Sequence, residues 1–209
     1  KRLKNKNLKT FRNKPLIFWS INAAKKSKLV NDVYVTSENE NILKISQKFN
    51  AKTIKRPKNL SNEIIMPDQA IKHAYIKIKK PYDYIVSLQP TSPIRSPTDI
   101  DEAIKKIIKT KADSLTSVFK THAFIWKKKG NYFEPTNYDY NNRPRSQDCE
   151  FYQENGSILI TKPKILLKKN NRLGGKVSVY IMNFWKSFDI DNKEDFKMTE
   201  FLTKYKKKK

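Results

Sequence analysis

Short apolar runs alternate along the chain with longer stretches in which apolar residues recur every three or four positions. The short runs are predicted strands and the longer stretches are predicted helices, because side-chain direction repeats every two residues in a strand and about every 3.6 residues in a helix. Such alternation predicts an α/β fold, with helices flanking a mainly parallel sheet. The predicted strands cover residues 33–36, 52–54, 84–88, 114–119, 157–161 and 177–182, and the predicted helices cover residues 15–24, 40–49, 67–79, 97–108 and 194–205.

Residues 122–150 break this alternation with aromatic residues, lysines, asparagines and one glycine. Within them, residues 124–126 and 132–133 can pair as a hairpin around Gly130, and residues 138–148 are predicted to be a loop. An insertion of this kind in an α/β domain is often a lid or a dimer contact, and aromatic patches mark interfaces. We therefore expect one domain over residues 1–209, with a dimerisation or lid excursion at 122–150.

The chain carries a formal charge of +25 at pH 7, which is a common property of nucleic-acid-binding proteins. Its lysines are spread through every segment, however, and aromatic residues are not interleaved with the basic runs as in stacking surfaces for single strands. A positive charge also attracts polyanionic small substrates such as nucleoside triphosphates. A basic nucleic-acid-binding domain stays open as an alternative that these patterns disfavour.

Two features bear on the compartment. No apolar run approaches the roughly 20 residues of a membrane-spanning helix, so no membrane partner is expected. The single cysteine, Cys149, excludes an internal disulfide framework and fits a reducing cytoplasm.

The octapeptide LQPTSPIR at residues 88–95 follows the predicted strand 84–88 and precedes a predicted helix. Two prolines and two hydroxyl side chains make this segment a stiff, polar loop. Ligands of open parallel sheets bind at the carboxyl ends of the strands, so this loop is a predicted binding site. The helix after it is well marked, because Ser96 can cap it, Pro97 fits its first position and Asp99 favours its positive end.

Asp189 and Asp191 are two residues apart, so in an extended segment both carboxylates project from one face. Such a pair suits Mg²⁺ (or Mn²⁺), which proteins bind through one or two carboxylates together with substrate phosphates. The same spacing also fits an exposed turn before a helix, with Asp191 as the N-cap.

The amino-terminal segment is a candidate phosphate site. Lys1, Arg2 and Lys6 can offset the charge of a triphosphate, and backbone N–H groups can bind its oxygens. Composition alone favours a solvated basic end.

Short segments along the chain form a wider pattern with the octapeptide: KRLKNKN at 1–7, VYVTSE at 33–38, RPKNLS at 56–61, PR at 144–145, ENGSI at 154–158 and FDID at 188–191. Together they resemble, in the same order, the motifs of the acylneuraminate cytidylyltransferases, whose signature is LQPTSPLR. The resemblance spans essentially the whole chain. It implies a Rossmann-like nucleotide-diphospho-sugar transferase fold and an enzyme that joins CTP and a nonulosonic acid into a CMP-sugar, releasing pyrophosphate.

The resemblance also implies site residues. Lys6 would stabilise charge on the α-phosphate, and Asp189 and Asp191 would hold the metal. The implied nucleotide contacts are Lys1, Arg2, Asn7, Arg56 and Ser61. Of these, Asn7 would contact the cytosine. The implied sugar contacts are Gln89, Thr91, Ser92, Arg95, Arg145, Tyr152 and Asn155. Arg145 has the fork geometry that suits a carboxylate, whereas Arg56 also fits an ordinary surface arginine and Asn155 an ordinary turn.

Three further expectations come from the resemblance. The family has a strand and a small-residue loop directly before the matching lysine, so we expect this sequence to be truncated at its amino terminus. We also expect a symmetric homodimer that binds CTP and an acidic nine-carbon sugar. A legionaminic- or pseudaminic-type acid, or an eight-carbon acid, stays open as the sugar, although the FDID and NGSI segments favour the nine-carbon branch.

Overall fold

A computed structural model describes residues 3, 5–61 and 66–205. These residues form strands and helices in alternation, as the sequence predicts. The strands are β1 Thr10–Phe11, β2 Lys14–Pro15, β3 Tyr34–Ser37, β4 Lys52–Lys55, β5 Ile85–Leu88, β6 Ser114–Thr121, β7 Trp126–Lys129, β8 Tyr132–Pro135, β9 Phe151–Thr161 and β10 Val177–Ile181. The helices are α1 Leu16–Lys26, α2 Glu40–Lys48, α3 Pro67–Ile78, α4 Pro97–Thr110, α5 Pro163–Lys169 and α6 Lys193–Tyr205.

The largest sheet has four strands in the order β10, β6, β9, β5. Strands β5, β6 and β10 run in one direction, and β9 runs antiparallel to both of its neighbours. A parallel crossover needs a long connection that is usually a helix, whereas β6 connects to β9 through a hairpin and a loop. The predicted α/β fold class is confirmed, with β9 making the sheet mixed.

Helix α4 packs on this sheet and illustrates why the elements form where they do. The side chain of Ser96 accepts a hydrogen bond from the Asp99 amide, and the Asp99 carboxylate accepts one from the Ser96 amide, which completes a capping box. Its apolar stripe joins residues of β6 and β9 in the main core cluster. The fully buried members of that cluster are Ile100, Ala103, Ile107, Ala112, Leu115, Ile158 and Ile160.

The excursion at residues 122–150 contains the predicted hairpin, formed by β7 and β8. Lys129 pairs with Tyr132, so Gly130 and Asn131 form a two-residue turn in which Gly130 has a φ of 63°. Several elements differ from the sequence prediction, which did not include the two-residue strands β1 and β2. Strand β9 begins at Phe151, six residues earlier than predicted, and the seven-residue helix α5 was not predicted because it is too short for a clear periodic pattern.

A cavity of about 610 Å³ lies between β3 and β5, with α1 and α3 also contributing to its walls. Within the described residues, β3 pairs only with β4 and β5 only with β9, so no backbone ladder joins the two strands. Two hydroxyl oxygens, Thr36 Oγ1 of β3 and Ser87 Oγ of β5, are buried, and neither has a hydrogen-bond partner among the described residues. The cavity reaches the carboxyl ends of both strands, where ligand sites of such sheets lie.

Asp32 connects the two sides of this cavity through side chains. Its carboxylate accepts hydrogen bonds from Lys52 of β4 at 2.6 Å, from Lys80 at 2.8 Å and from the Tyr82 hydroxyl at 2.5 Å. Lys80 and Tyr82 precede β5, so the carboxylate links the β3–β4 pair to the main sheet. Lys52, Lys80 and Tyr82 together hold the pKa of Asp32 well below its usual value.

No helix in the described ranges is both long enough and apolar enough to cross a membrane.

The packing of β9 leads to a stability prediction. Ile160 is fully buried on β9, so Ile160→Ala should lower the free energy of unfolding by about 2–5 kcal/mol, through lost burial and an unfilled cavity. Ile181 on the edge strand β10 is half exposed, and Ile181→Ala should change the same quantity by less than about 0.5 kcal/mol. Urea unfolding curves measure both values. Equal losses for the two variants would contradict a central position for β9.

Candidate active site

Three segments far apart in sequence meet at the carboxyl end of β5. The Ile190 amide donates to the Thr91 carbonyl at 2.9 Å, which joins residues 184–191 to the loop 88–95. The Lys6 ammonium donates to the Ile190 carbonyl at 2.8 Å and to Asp191 Oδ1 at 2.9 Å. Ser92 Oγ lies 3.4 Å from Asp189 Oδ1 and donates to it. The structure therefore brings together the predicted lysine, the loop and both aspartates.

Two cavities open at this junction. The cavity between β3 and β5 ends among a group of polar residues: Lys6, Asn7, Glu38, Arg56, Thr91 and Asp191. A second cavity of about 430 Å³ lies beside it, and Gln89 and Asp189 line both. A ligand in either cavity would therefore reach the same amide and the same carboxylate.

The predicted nucleotide residues fall mainly on the first cavity. Asn7 lines it, and its buried amide oxygen accepts no hydrogen bond from any described residue. Arg56 also lines it and donates from Nη2 to Glu38 at 2.6 Å and from Nε to Ser61 Oγ at 2.9 Å. Burial opposes ionisation of Glu38, but Arg56 holds the pKa of this carboxyl below its usual value. Ser61 contacts Arg56 and not the cavity, which corrects its prediction as a direct contact.

Lys1 and Arg2, the other predicted nucleotide contacts, lie outside the described residues.

The aspartate pair fits a magnesium ion that is completed by substrate. No group of three or more His, Cys, Asp or Glu side chains that could hold a metal ion occurs in the described part of the chain. Asp189 and Asp191 both line the first cavity. Mg²⁺ usually takes one or two protein carboxylates and fills its other positions with phosphate oxygens and water. The alternative role of Asp191 as a helix cap is wrong, because Asn192 Oδ1 accepts the Asp195 amide at 2.9 Å and caps α6 itself.

The second cavity has an aromatic wall that the sequence analysis missed. Phe119 and Phe184 stack edge to face with centroids 5.3 Å apart, and Phe184 and Phe188 do so at 5.4 Å. Gln89, Gln153, Glu154, Asn155, Gly156 and Ser187 line the rest of it, together with Asp189. The signal that could have found this wall is the aromatic cluster FWKSF at residues 184–188, directly before the aspartate pair.

Gly156 allows Gln89 to approach this wall. Strand β9 bulges opposite Ser117, and Gly156 within the bulge has a φ of 63°, where a side chain is strained. A Cβ atom at this position would lie 3.1 Å from Gln89 Nε2.

Arg95 lies in the interior, where it cannot contact a sugar, and this corrects its predicted role. Its guanidinium is buried and donates to the Ser157 carbonyl at 2.6 Å, to Ser20 Oγ at 2.6 Å and to the Gln89 carbonyl at 3.4 Å. Burial lowers the pKa of Arg95 to about 10, which leaves it a cation at neutral pH. Arg95 therefore holds the backbone of Gln89 in place.

Two other predicted sugar residues are buried and act on their neighbours. Thr91 donates to Gln89 Oε1 at 3.4 Å, and Ser92 contacts Asp189 as described above. Asn155 lines the second cavity, but its amide already accepts from Ser117 Oγ at 2.5 Å and donates to Ser187 Oγ at 2.9 Å.

Arg145 and Tyr152 lie outside both cavities of their own chain. The Arg145 side chain is 73% exposed and pairs with Asp148 at 2.7 Å, while the Tyr152 hydroxyl donates to Glu150 at 2.9 Å. Neither residue therefore reaches a cavity of its own chain, and the sugar contact of each stays a prediction. Among the described residues that line the second cavity there is no lysine or arginine.

The fold and its two joined cavities define an α/β protein of the nucleotide-sugar transferase type. A family model described as cytidylyltransferase matches residues 1–209, and the chain therefore belongs to the cytidylyltransferase family. It is 35% identical over 200 residues to N-acylneuraminate cytidylyltransferase A of Danio rerio, covering 93% of this chain and 46% of that protein. The chain thus spans about half the length of that curated relative.

A second relative is the pseudaminic acid cytidylyltransferase of Campylobacter jejuni subsp. jejuni, 26% identical over 214 residues that cover 98% of this chain and 91% of that protein. A solved structure of CMP:2-keto-3-deoxy-manno-octonic acid synthetase complexed with CTP superposes with a TM-score of 0.74. At 14% identity, with 98% of this chain and 94% of that chain covered, this likeness shows the shared fold. The resemblance found in the sequence is confirmed.

The two arginines of this region should differ sharply in a stability test. Arg95→Met leaves the carbonyl groups of Ser157 and Gln89 without their buried donor, so it should lower the free energy of unfolding by about 2–4 kcal/mol. Arg145→Met removes an exposed ion pair and should change the same quantity by less than about 1 kcal/mol. Thermal and urea unfolding of the two variants measure the difference. A negligible loss for Arg95→Met would contradict its interior role.

Proposed function

We propose that this chain catalyses formation of a CMP-sugar and pyrophosphate from CTP and a nonulosonic acid of the sialic type. The observation that carries the proposal is the junction of two cavities at Gln89 and Asp189, with Lys6 and Asp191 beside it. One cavity can take the nucleotide and the other the sugar, so that their reacting atoms meet at the junction. The names of the relatives support this choice of substrates.

The nucleotide is assigned to the first cavity on the basis of hydrogen-bond capacity and charge. The unpartnered amide oxygen of Asn7 can accept a hydrogen bond from the exocyclic amine of cytosine, a donor that uracil lacks. Arg56 and Lys6 supply positive charge on the same wall for a triphosphate. The fixed position of Arg56, which Glu38 and Ser61 both hold, reduces the entropy lost when it binds an anion.

Asp189 and Asp191 would hold a Mg²⁺ or Mn²⁺ ion, which would offset phosphate charge when bound. Lys6 forms an ion pair with Asp191, and its side chain is partly exposed. An exposed pair of this kind is weak, so the ammonium group can exchange Asp191 for an α-phosphate oxygen. Lys6 would then stabilise the negative charge that develops as the bond to pyrophosphate breaks.

The reaction needs the anomeric hydroxyl of the sugar to face the α-phosphorus. The new O–P bond forms as the P–O bond to pyrophosphate breaks on the opposite side, and most of the rate enhancement comes from positioning and electrostatics. Gln89 can orient the sugar because its amide offers both donor and acceptor groups. Arg95 holds the main-chain carbonyl of Gln89, and the absence of a side chain at Gly156 leaves room for the Gln89 amide beside it.

Three chemically related acids are candidates for the sugar. The wall formed by Phe119, Phe184 and Phe188 suits apolar parts of an acylated sugar. We favour a sialic-type acid, with a legionaminic- or pseudaminic-type acid as the first alternative because of the Campylobacter jejuni relative. An eight-carbon acid is the second alternative. The single cysteine fits a reducing compartment, so we assign the reaction to the cytoplasm.

We also infer a symmetric homodimer from what the second cavity lacks. The carboxylate of a bound acidic sugar needs a cation, and no lysine or arginine among the described lining residues supplies one. The excursion carries Arg145 in an exposed position, together with the exposed aromatic residues Trp126, Tyr132, Phe133 and Tyr140. If two copies pack through these aromatics, Arg145 of one copy can complete the sugar cavity of the other.

Pyrophosphate release by the full-length protein tests the proposed reaction. Release should require CTP, an acidic nine-carbon sugar and a divalent cation, and UTP should be a poor substitute for CTP. Asp189→Asn should reduce kcat by about a hundredfold because it weakens the metal site. Glu102→Gln, on the exposed face of α4, is the control and should leave kcat unchanged. Absence of sugar-dependent release, or salt-dependent affinity for nucleic acid in its place, would refute the proposed function.

Mixed dimers test whether Arg145 acts across the interface. Arg145→Met and Asp189→Asn should each be nearly inactive alone, yet an equal mixture that exchanges subunits should recover about a quarter of wild-type activity, because half of the dimers then contain one intact site. Replacing both Trp126 and Phe133 with Ser should give a monomer in sedimentation experiments. No recovery in the mixture would place Arg145 in its own chain's site, and a fully active monomer would exclude the dimer.

A further inference from the structure

A buried ion pair connects the wall of the second cavity to the helix that follows the loop 88–95. Lys186 Nζ lies 2.8 Å from Asp99 Oδ1 and 2.7 Å from Asp99 Oδ2. The two side chains are only 16% and 7% exposed, and neither residue lines a cavity. Burial opposes ionisation of Asp99, but Lys186 and Ser96 hold its pKa below the usual value, so the pair is charged at neutral pH.

Hydrogen bonds fix the Asp99 end of the pair to the start of α4 and to strand β10. Asp99 Oδ2 accepts the Ser96 amide at 2.8 Å within the capping box of α4, and Oδ1 accepts the Tyr180 hydroxyl of β10 at 3.2 Å. Ser96 directly follows the loop 88–95. The carboxylate therefore has a defined position relative to Gln89, at the other end of that loop.

The Lys186 end belongs to the segment that carries both aspartates and part of the aromatic wall. Among the contacts that attach residues 184–191 to the rest of the site are Lys186 with Asp99, Ser187 with Asn155, and the Ile190 amide with the Thr91 carbonyl. Phe188 and Asp189 lie between the first and last of these attachments. Loss of the first would remove a charged contact from the Phe184 end of the segment, where the neighbouring attachments are the hydrogen bond from a neutral amide and the ring contact of Phe184 with Phe119.

We propose that Lys186 and Asp99 are positioning residues that set the distance between Gln89, on the loop, and Phe184, Phe188 and Asp189, on the segment 184–191. This inference rests on the proposed function, since it assigns the pair to the sugar-binding half of that site. A buried ion pair contributes little net stability compared with an apolar pair of the same size, but it fixes geometry. A displacement of about 1 Å in a catalytic group is enough to cost about a hundredfold in rate.

The kinetic constants of Lys186→Met separate positioning from a merely structural role. The variant should raise the KM for the sugar and lower kcat, with a combined loss in kcat/KM of about tenfold to a hundredfold. Its KM for CTP should change less than its KM for the sugar, because Asn7 and Arg56 lie on other elements although both aspartates lie on the segment. Lys186→Arg keeps a cation opposite Asp99 and should recover part of the lost kcat/KM.

Two further variants control for stability. Lys186→Met leaves the Asp99 carboxylate buried and unpaired, so the double variant Lys186→Met with Asp99→Asn should unfold at a higher temperature than Lys186→Met, yet keep its low kcat/KM for the sugar. Lys162→Met breaks the partly buried pair with Asp113, which lies at the start of β6 and the end of β9. It should lower the unfolding temperature and leave both KM values unchanged.

The outcomes distinguish the two hypotheses. If wild type releases no pyrophosphate in the presence of CTP and the sugar, the proposed function fails. If wild type is active and Lys186→Met has wild-type kinetic constants, or loses CTP and sugar affinity equally, the positioning role is overturned. The role is also overturned if the double variant recovers both its unfolding temperature and its kcat/KM.

Discussion

The guanidinium of Arg95 is the interaction on which the geometry of the site depends most. It joins the Ser20 hydroxyl of α1, the Gln89 carbonyl of the loop and the Ser157 carbonyl of β9 in the interior. Burying a cation is costly unless its donors are used, and here both terminal nitrogens have partners. The carboxyl end of β5, the bulge of β9 and helix α1 are therefore held in one arrangement, and Gln89 is presented to both cavities.

Around this centre, the polar groups divide into those that face the cavities and those that hold them. Gln89, Asp189, Asp191, Asn7 and Arg56 face the cavities. Ser92 and Ser61 are supporting groups, whereas Thr91 and Asn155 both line a cavity and give support. Each of the four makes a hydrogen bond to one of the cavity-facing residues or to the segment that carries them. This support matters because a long polar side chain loses much rotamer freedom when it is held in one position, and the hydrogen bonds of the supporting groups offset part of that cost.

The α/β fold class and the main site segments could be predicted because their signals are local. Periodicity marks the elements, and the loop 88–95 and the aspartate pair are contiguous motifs next to strand ends. The role of Arg95 could not be predicted, because its burial depends on Ser20 and Ser157, which lie 75 and 62 residues away in sequence. The location of Arg145 could not be predicted either, since a loop sequence does not specify which cavity, or which copy of the chain, its side chain faces.

The attachment of the β3–β4 pair has a consequence for how the protein opens. In the described part of the chain this pair shares no strand ladder with the main sheet, and Asp32 bridges the two through exposed lysines and a tyrosine. The pair also packs on α1 through an apolar cluster that includes Ile17, Ile21 and Val35. Side-chain contacts of both kinds break at a lower free energy than a continuous ladder, so we expect the pair to unfold locally while β5, β9 and β6 stay intact. Amide hydrogens of β3 and β4 would then exchange with solvent sooner than those of β9, and the nucleotide side of the site would be the less rigid half.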